Sequence, residues 1–345
     1  MHTFYYADHS RHNPGQFNQA EGTGGRYLYL ELPERVKIIR DAIRAAHLGP
    51  IIPPGDFGIE PIGEVHDYGM LNLLQSGYRL LRETPQSPPY TPDTFSVRTY
   101  SKHTPRSILG LFGYYAFDIY APIMEHTWNV AYWSVQTAVS AAALVLAGSD
   151  KVAYALCRPP GHHASVSLFG GYCYLNNAAI AANWLVQQGQ RVAIVDIDYH
   201  HGNGTQSIFY NRSDVLVCSI HADPFNEYPY YWGYADEYGE GTGQNYNFNF
   251  PLPQGAQETL YLRTLEQALT KVRLYVPDVV IISLGLDIAE GDPEGGFRLK
   301  NESLQMIGAH LRQLNLPLVV VQEGGYRLDT LGDSAVSFFQ GLLGR

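Results

Sequence analysis

Five runs of apolar, largely β-branched residues recur through the second half of the chain, at 152–157, 191–195, 214–218, 277–282 and 317–321. Each is short and continuous, without the alternation of a half-exposed strand. That is the pattern of strands covered on both faces. Helical patterns lie between them near 174–188, 256–275 and 302–314, and a helix rich in Ala, Val and Leu precedes them at about 128–147. Strand–helix alternation predicts an α/β fold, with right-handed crossovers and a central parallel sheet carrying helices on both faces. The stretch from about 82 to 107 is different, holding Pro85, Pro88, Pro89, Pro92 and Pro105 with few regular apolar positions. It predicts a long structured loop, and loops of that length inside domains usually serve function.

In open parallel sheets the chemistry lies beyond the carboxyl ends of the strands. The residues that follow each apolar run agree. They are Arg158-Pro-Pro-Gly-His162-His163, Asp196-Ile-Asp198-Tyr-His200-His201-Gly-Asn203, Ser219-Ile220-His221-Ala-Asp223, Ser283-Leu-Gly-Leu-Asp287 and Glu323-Gly-Gly-Tyr326. Polar loops arising by chance would not place His or an acidic residue after every strand.

Asp196, Asp198 and His200 are spaced by two, so at a strand end they share one face of the pleat. Two carboxylates and an imidazole on a core strand are costly to bury without a cation. A metal held by Asp198 and His200, and completed by Asp287, removes that cost. Three protein ligands leave a coordination position open, which is the catalytic pattern for zinc. Mixed nitrogen and oxygen donors also admit iron or cobalt. Two carboxylates weaken the electrophile, so a separate general base is needed, and His162 and His163 are the candidates. His201 reads as structural, His221 and Asp223 as loop or site rim, and His9, His12, His66 and His103 as surface or packing residues.

Composition narrows the classes further. The 345 residues are 45% hydrophobic and carry a net charge of -10, so no basic footprint for nucleic acid exists. Such a charge suits a cationic substrate. The three cysteines form no C-x-x-C pair, which points to a reducing compartment. The N-terminus has no basic region followed by an apolar run, and no stretch reads as a membrane span. A soluble, cytoplasmic protein is expected. The 26 tyrosines suggest aromatic surfaces with polar tips.

Four motifs together resemble the histone deacetylase superfamily: Cys157-Arg-Pro-Pro-Gly-His-His163, Gly170-Gly-Tyr-Cys-Tyr-Leu-Asn-Asn177, Val195-Asp-Ile-Asp-Tyr-His-His-Gly-Asn-Gly-Thr205 and Glu323-Gly-Gly-Tyr326. Within it the chain is most similar to the bacterial acetylpolyamine amidohydrolases and the class II deacetylases. The likeness runs from the N-terminus, through Val65-His-Asp67 and a helix near 32–46, to about residue 343. It implies the arginase/deacetylase fold in a single domain over 1–345, with an insertion at about 82–118. It makes Asp198, His200 and Asp287 the ligands of one catalytic Zn2+. His162 and His163 become a tandem pair backed by Asp196 and Asn203, and Tyr326 the donor to the scissile carbonyl. Gly171, Tyr172 and Tyr228 become tunnel walls. One potassium site is implied at Asp196, Asp198, His200, Ser219 and Ile220, and a second monovalent site at Phe209, Arg212, Val215 and Tyr246. The insertion implies a homodimer.

The expected activity is hydrolysis of an acyl amide, with an acetylpolyamine or acetyl-lysine as substrate. His163 is assigned as base because its partner Asn203 is neutral, whereas Asp196 holds His162 cationic. The positions matched to acidic residues of the polyamine enzymes hold Leu109 and Tyr120, with Asp118 and Glu125 nearby, which predicts weaker attraction for a distal ammonium. Two rival readings are an arginase-like ureohydrolase and an inactive acyl-lysine binding module. Gly202, where a second metal would need an Asp, counts against the first. The complete set of His162, His163 and Tyr326 counts against the second.

Overall fold

The computed structural model describes residues 1–18, 28–97 and 103–345. The described strands are β1 (His2–Phe4), β2 (Ile51–Ile52), β3 (Val152–Ala155), β4 (Val192–Asp196), β5 (Val215–Ala222), β6 (Asn247–Leu252), β7 (Val279–Leu284) and β8 (Leu318–Gln322). They form one sheet in the order β2-β1-β3-β8-β7-β4-β5-β6. Every pairing is parallel. The five apolar runs are the five contiguous central strands. Along β4, Val192 and Ile194 enter one core cluster while Ala193 and Val195 enter the other. β7 alternates in the same way, with Val279 and Ile281 on one face and Val280 and Ile282 on the other. Both faces are covered, so both side-chain sets must be apolar.

The helices supply the cover. They are α1 (Pro33–Ala45), α2 (Glu60–Gly63), α3 (Tyr68–Leu81), α4 (Ile108–Tyr115), α5 (Thr127–Leu146), α6 (Asn177–Gln187), α7 (Asn203–Phe209), α8 (Glu258–Tyr275), α9 (Asn301–Arg312) and α10 (Leu331–Leu343). α3, α5 and α6 lie on one face, and α1, α8, α9 and α10 on the other. Asp67 caps α3 by accepting from the Gly69 and Met70 amides, and Asn176 caps α6 by accepting from Ala179 N. α5 is long and apolar enough to cross a membrane by length and composition, a feature the sequence reading did not single out. Here 67% of its most apolar window is buried in the fold, as in a core helix.

The proline-rich stretch is largely irregular, but α4 closes it, so the 82–118 insertion ends in a helix packed on the core. Residues 98–102 of it lie outside the described residues. The edge strands β2 and β6, and β1 beside β2, were not anticipated.

α9 and α10 cross at two glycines. A Cβ on Gly341 would stand 1.8 Å from Gln305 O, and one on Gly308 would stand 2.2 Å from Phe338 O. Backbone rather than flexible side chain meets each, so relief needs the helices to separate. Gly341→Ala is expected to lower stability by about 1–3 kcal/mol, read from the shift in denaturant midpoint. An unchanged midpoint would show that this crossing is loose.

Candidate metal centre and active site

β4 ends at Asp196, which is in register with Ser219 of β5 and Ser283 of β7. The chain then leaves the sheet with its backbone folded onto its own carboxylates. Asp198 N donates to Asp196 Oδ1 at 3.1 Å, and His200 N donates to Asp198 Oδ1 at 2.9 Å. Gly324 N donates to Asp198 Oδ2 at 2.8 Å, and Tyr199 N to Asp287 Oδ1 at 3.0 Å. A Cβ at position 324 would lie 2.3 Å from Asp287 Oδ2 and 2.6 Å from Asp198 Oδ2, so only glycine lets this loop meet both carboxylates.

One oxygen is left over. Asp287 Oδ2 is buried and has no hydrogen-bond partner. His200 Nδ1 stands 3.3 Å from it and 3.3 Å from Asp198 Oδ1. Donor atoms of Asp198, His200 and Asp287 all lie within 4.8 Å of one another. Burial, then repulsion from Asp198, pushes Asp287 up to about 7. An orphaned anionic oxygen facing an imidazole nitrogen and a second carboxylate is what a divalent cation would satisfy, and the N/O donor set fits zinc. A second close set, His162, Cys173 and Glu323, is engaged otherwise. Glu323 Oε2 accepts from Gly161 N at 2.7 Å and His162 N at 3.2 Å, and Oε1 from Ser283 Oγ at 3.3 Å.

The tandem histidines sit on the turn after β3, with ring centroids 4.0 Å apart. His162 Nδ1 lies 3.0 Å from Asp196 Oδ2. Burial alone would strip its proton, but Asp198, Asp196 and Glu323 overcome this and hold its pKa up at about 10. His163 Nδ1 lies 2.7 Å from Asn203 Oδ1. An amide oxygen only accepts, so Nδ1 carries the proton and Nε2 keeps its lone pair. Burial, and then the neighbouring His162 and His200, push the His163 pKa well down, so this ring is neutral at pH 7.

Tyr326 follows β8 on the turn that carries Gly324 and Gly325. Its backbone N donates to Asp292 Oδ2 at 2.7 Å. The buried Arg35 lies 4.5 Å from its ring centroid and donates to Glu323 O at 2.7 Å. Glu31 Oε1 accepts from Arg35 at 2.7 Å and stands 2.9 Å from Arg158 Nε, closing an ion triad behind the site. Burial raises the Tyr326 phenol, which stays protonated as a donor.

These groups open into a cavity of about 390 Å³, whose lining includes His163, His200, Tyr172, Tyr228 and Tyr326. Gly171, the third expected wall residue, also lines it. A Cβ there would stand 2.5 Å from His163 Cδ2. Tyr172 holds φ of 67°, a strained conformation for a bulky residue, and such strain gathers at functional sites. Asp118 Oδ2 accepts from Gly171 N at 2.8 Å and Tyr228 Oη at 2.7 Å, so one carboxylate ties both walls.

The other expected site residues are placed as follows. Asp196 and Asn203 stand behind the histidine pair and are buried. Ser219 Oγ lies 2.7 Å from His221 Nδ1, beside Ile220 on β5. Phe209 O accepts from Arg212 N and Tyr246 O from Val217 N, both at 2.9 Å, and Val215 opens β5. His201 packs against His221 with tilted rings 4.4 Å apart and stays outside the triad, as a packing residue. His221 bonds Gly233 O at 2.8 Å and is also packing. His9, His12 and His66 are buried. Leu109 packs on the core away from the cavity, whereas Tyr120 lines it.

Residues 29–342 match the family described as histone deacetylase domain. The chain belongs to this family. It is 42% identical to acetylpolyamine amidohydrolase 1 of Pseudomonas aeruginosa, over 100% of this chain and 99% of that protein. It is 35% identical to the acetylpolyamine amidohydrolase of Mycoplana ramosa, over the full length of both. The crystal structure of an acetylpolyamine aminohydrolase from Burkholderia pseudomallei matches with a TM-score of 0.92 at 41% identity, covering 99% of this chain and 98% of that one. The fold is the arginase/deacetylase fold.

Sequence reasoning missed two carboxylates of the cavity wall, Glu227 and Glu294. Glu294 Oε1 accepts from Tyr172 Oη at 3.2 Å. Neither belongs to one of the quoted motifs. The only signal at Glu294 was its place in a Gly-Asp-Pro-Glu-Gly-Gly turn.

The orphaned Asp287 oxygen generates a pH-dependent prediction. A carboxyl near pKa 7 folded and about 4 unfolded holds a proton in the native state only, so its contribution to metal-free stability falls as pH rises from about 4 to 7. Zinc should therefore raise the melting temperature of chelator-treated protein more at pH 7.5 than at pH 5. Asp287→Ala should abolish the gain. An equal gain in that variant would place the metal elsewhere.

Proposed function

We propose that this chain is a zinc-dependent amidohydrolase that removes an acyl group, acetyl foremost, from an amine. One observation carries the reading. Into a single cavity open His163, whose Nδ1 is bonded to Asn203, the Tyr326 phenol and His200, behind which the buried Asp198 and Asp287 complete the triad. A dication held by the triad supplies Lewis-acid polarisation to the amide carbonyl and to water. His163 Nε2 takes a proton from the water that attacks the carbonyl carbon. The same proton passes to the amine nitrogen as the C–N bond breaks, releasing the acid and the free amine. Tyr326 donates a hydrogen bond to the carbonyl oxygen while charge develops there. His162 stays cationic against Asp196 and offsets that charge.

The substrate class proposed is an acetylated polyamine, with acetyl-lysine as the second reading. The full-length relatives named as acetylpolyamine amidohydrolases support it, as does the net charge of -10. Among the described residues the cavity lining includes Glu227 and Glu294 and no Lys or Arg. The acidity that Leu109 fails to provide is supplied from other elements. One or two structural K+ ions at the carbonyls near Asp196 and near Phe209 belong to the same proposal. So does a homodimer built through the 82–118 insertion, which light scattering at micromolar concentration should report as twice the chain mass. A monomer there would remove the dimer.

Tyr326→Phe should lower kcat on an acetylated diamine by about 100- to 1,000-fold, with little change in KM. His163→Ala should lower it by at least about 100-fold. Near-normal turnover in His163→Ala together with loss in His162→Ala would reverse the assignment of the base.

A further inference from the structure

The turn at 170–173 and the segment after α4 meet at one carboxylate. Cys173 N donates to Gly170 O at 2.9 Å and Gly170 N to Cys173 O at 3.1 Å, which closes the turn. At its tip Gly171 and Tyr172 hold φ of 55° and 67°. Two successive positive φ values suit Gly, Asn or Asp, and a tyrosine in the second place persists only where its surroundings over-determine it. Its ring packs on Tyr29 at 4.9 Å, and its hydroxyl is held by Glu294. The backbone of the turn is held by Asp118, whose Oδ2 accepts from Gly171 N. Asp118 has little freedom of its own. Phe169 N donates to Tyr115 O at 2.8 Å and Phe117 N to Phe169 O at 3.0 Å, so its segment runs in register beside the turn. Its Oδ1 accepts from Tyr120 N at 2.9 Å, which leaves Oδ2 for Gly171 and for the Tyr228 hydroxyl. That hydroxyl lies against the turn, since a Cβ on Gly171 would stand 2.7 Å from it. The Tyr228 ring is edge-on to His163, with centroids 5.1 Å apart and planes at 89°. One oxygen therefore fixes both the turn that carries Tyr172 and the ring of Tyr228, the two aromatic walls near His163.

We propose that Asp118 is a positioning residue, a latch that sets the gap between the Tyr172 and Tyr228 walls and so selects an unbranched carbon next to the amide nitrogen. The inference rests on the amidohydrolase reading and deepens it, because it names the shape of amine that the site accepts. Asp118 is not among the residues lining the cavity and acts through the two walls. His163 works at the scissile bond, so the substrate carbon that meets the walls beside it is the one attached to the amide nitrogen. A ring tied at its hydroxyl as well as at its Cβ cannot swing aside for a methyl branch, whereas a ring tethered at one end can.

The test compares kcat/KM for N-acetylcadaverine and for its analogue with a methyl group on the carbon attached to the amide nitrogen. A fitted slot rejects one extra carbon by about 10- to 200-fold, and wild type should prefer the linear amide within that range. Tyr228→Phe, which removes one hydroxyl and no ring, should shrink the preference roughly tenfold, and so should Asp118→Ala. Asp118→Asn keeps an acceptor oxygen and should retain part of it. A ratio of two substrates does not depend on how much of the chain is folded, so a merely structural role would lower both rates and leave the ratio alone. A preference unchanged in Tyr228→Phe, or an equal loss for both amides in Asp118→Ala, would overturn the latch. A wild-type chain that hydrolyses neither amide, yet binds the linear one more tightly in calorimetric titration and loses that difference in Tyr228→Phe, would overturn the hydrolase reading and leave the latch standing.

Discussion

Four carboxylates, Asp196, Asp198, Asp287 and Glu323, are buried together at the carboxyl edge of one parallel sheet. Everything near the site answers to that constraint. An isolated carboxylate cannot be buried at acceptable cost, so each must be hydrogen-bonded, paired or neutralised. Backbone amides of Gly161, His162, Asp198, Tyr199, His200 and Gly324 meet most of the oxygens. His162 supplies one positive charge. The Asp287 oxygen that remains has no hydrogen-bond partner and faces His200, and a cation there would satisfy it.

The same constraint shapes the loops. Amides can reach the carboxylates only if the turns after β4 and β8 come close, and Gly324 allows that approach. Once there, the turn after β8 also carries Tyr326 to the cavity, so the contact that settles Asp198 brings the phenol with it. Arg35 then holds the turn from behind, through Glu323 O and the face of Tyr326. The two histidines are separated in charge by what stands behind each ring: a carboxylate for His162, an amide for His163. The different charge states of the pair therefore arise from the second row of contacts, because environment rather than residue type separates them.

Much of this was legible in the amino-acid order because its signals are local. A strand buried on both faces is a continuous apolar run, and residues at its carboxyl end are next to it in sequence. That is why the five central strands could be read directly, and why Asp198, His200 and Asp287, which the structure brings together, could be picked out as a group. Asn203 and Tyr326 needed the family resemblance, since nothing local marks an amide partner or a phenol donor. What was missed depends on chain folding over long separations. β1 is three residues long, and β6 alternates Asn and Phe, so neither has a buried strand's pattern. Glu31, Arg35, Glu227 and Glu294 are single charged residues outside the quoted motifs, and only the fold brings them to the site. The expectation drawn from Leu109 concerned one position of the loop, and acids arriving from other elements did not enter it.

Stoichiometry of metal activation tests the central claim most directly. Chelator-treated protein would be titrated with zinc while acetate release from an acetylated diamine is followed. One ion shared by Asp198, His200 and Asp287 predicts activity rising linearly to one equivalent per chain and then levelling off. Full activity in the metal-free protein, or a rise that continues to two equivalents, would contradict the account.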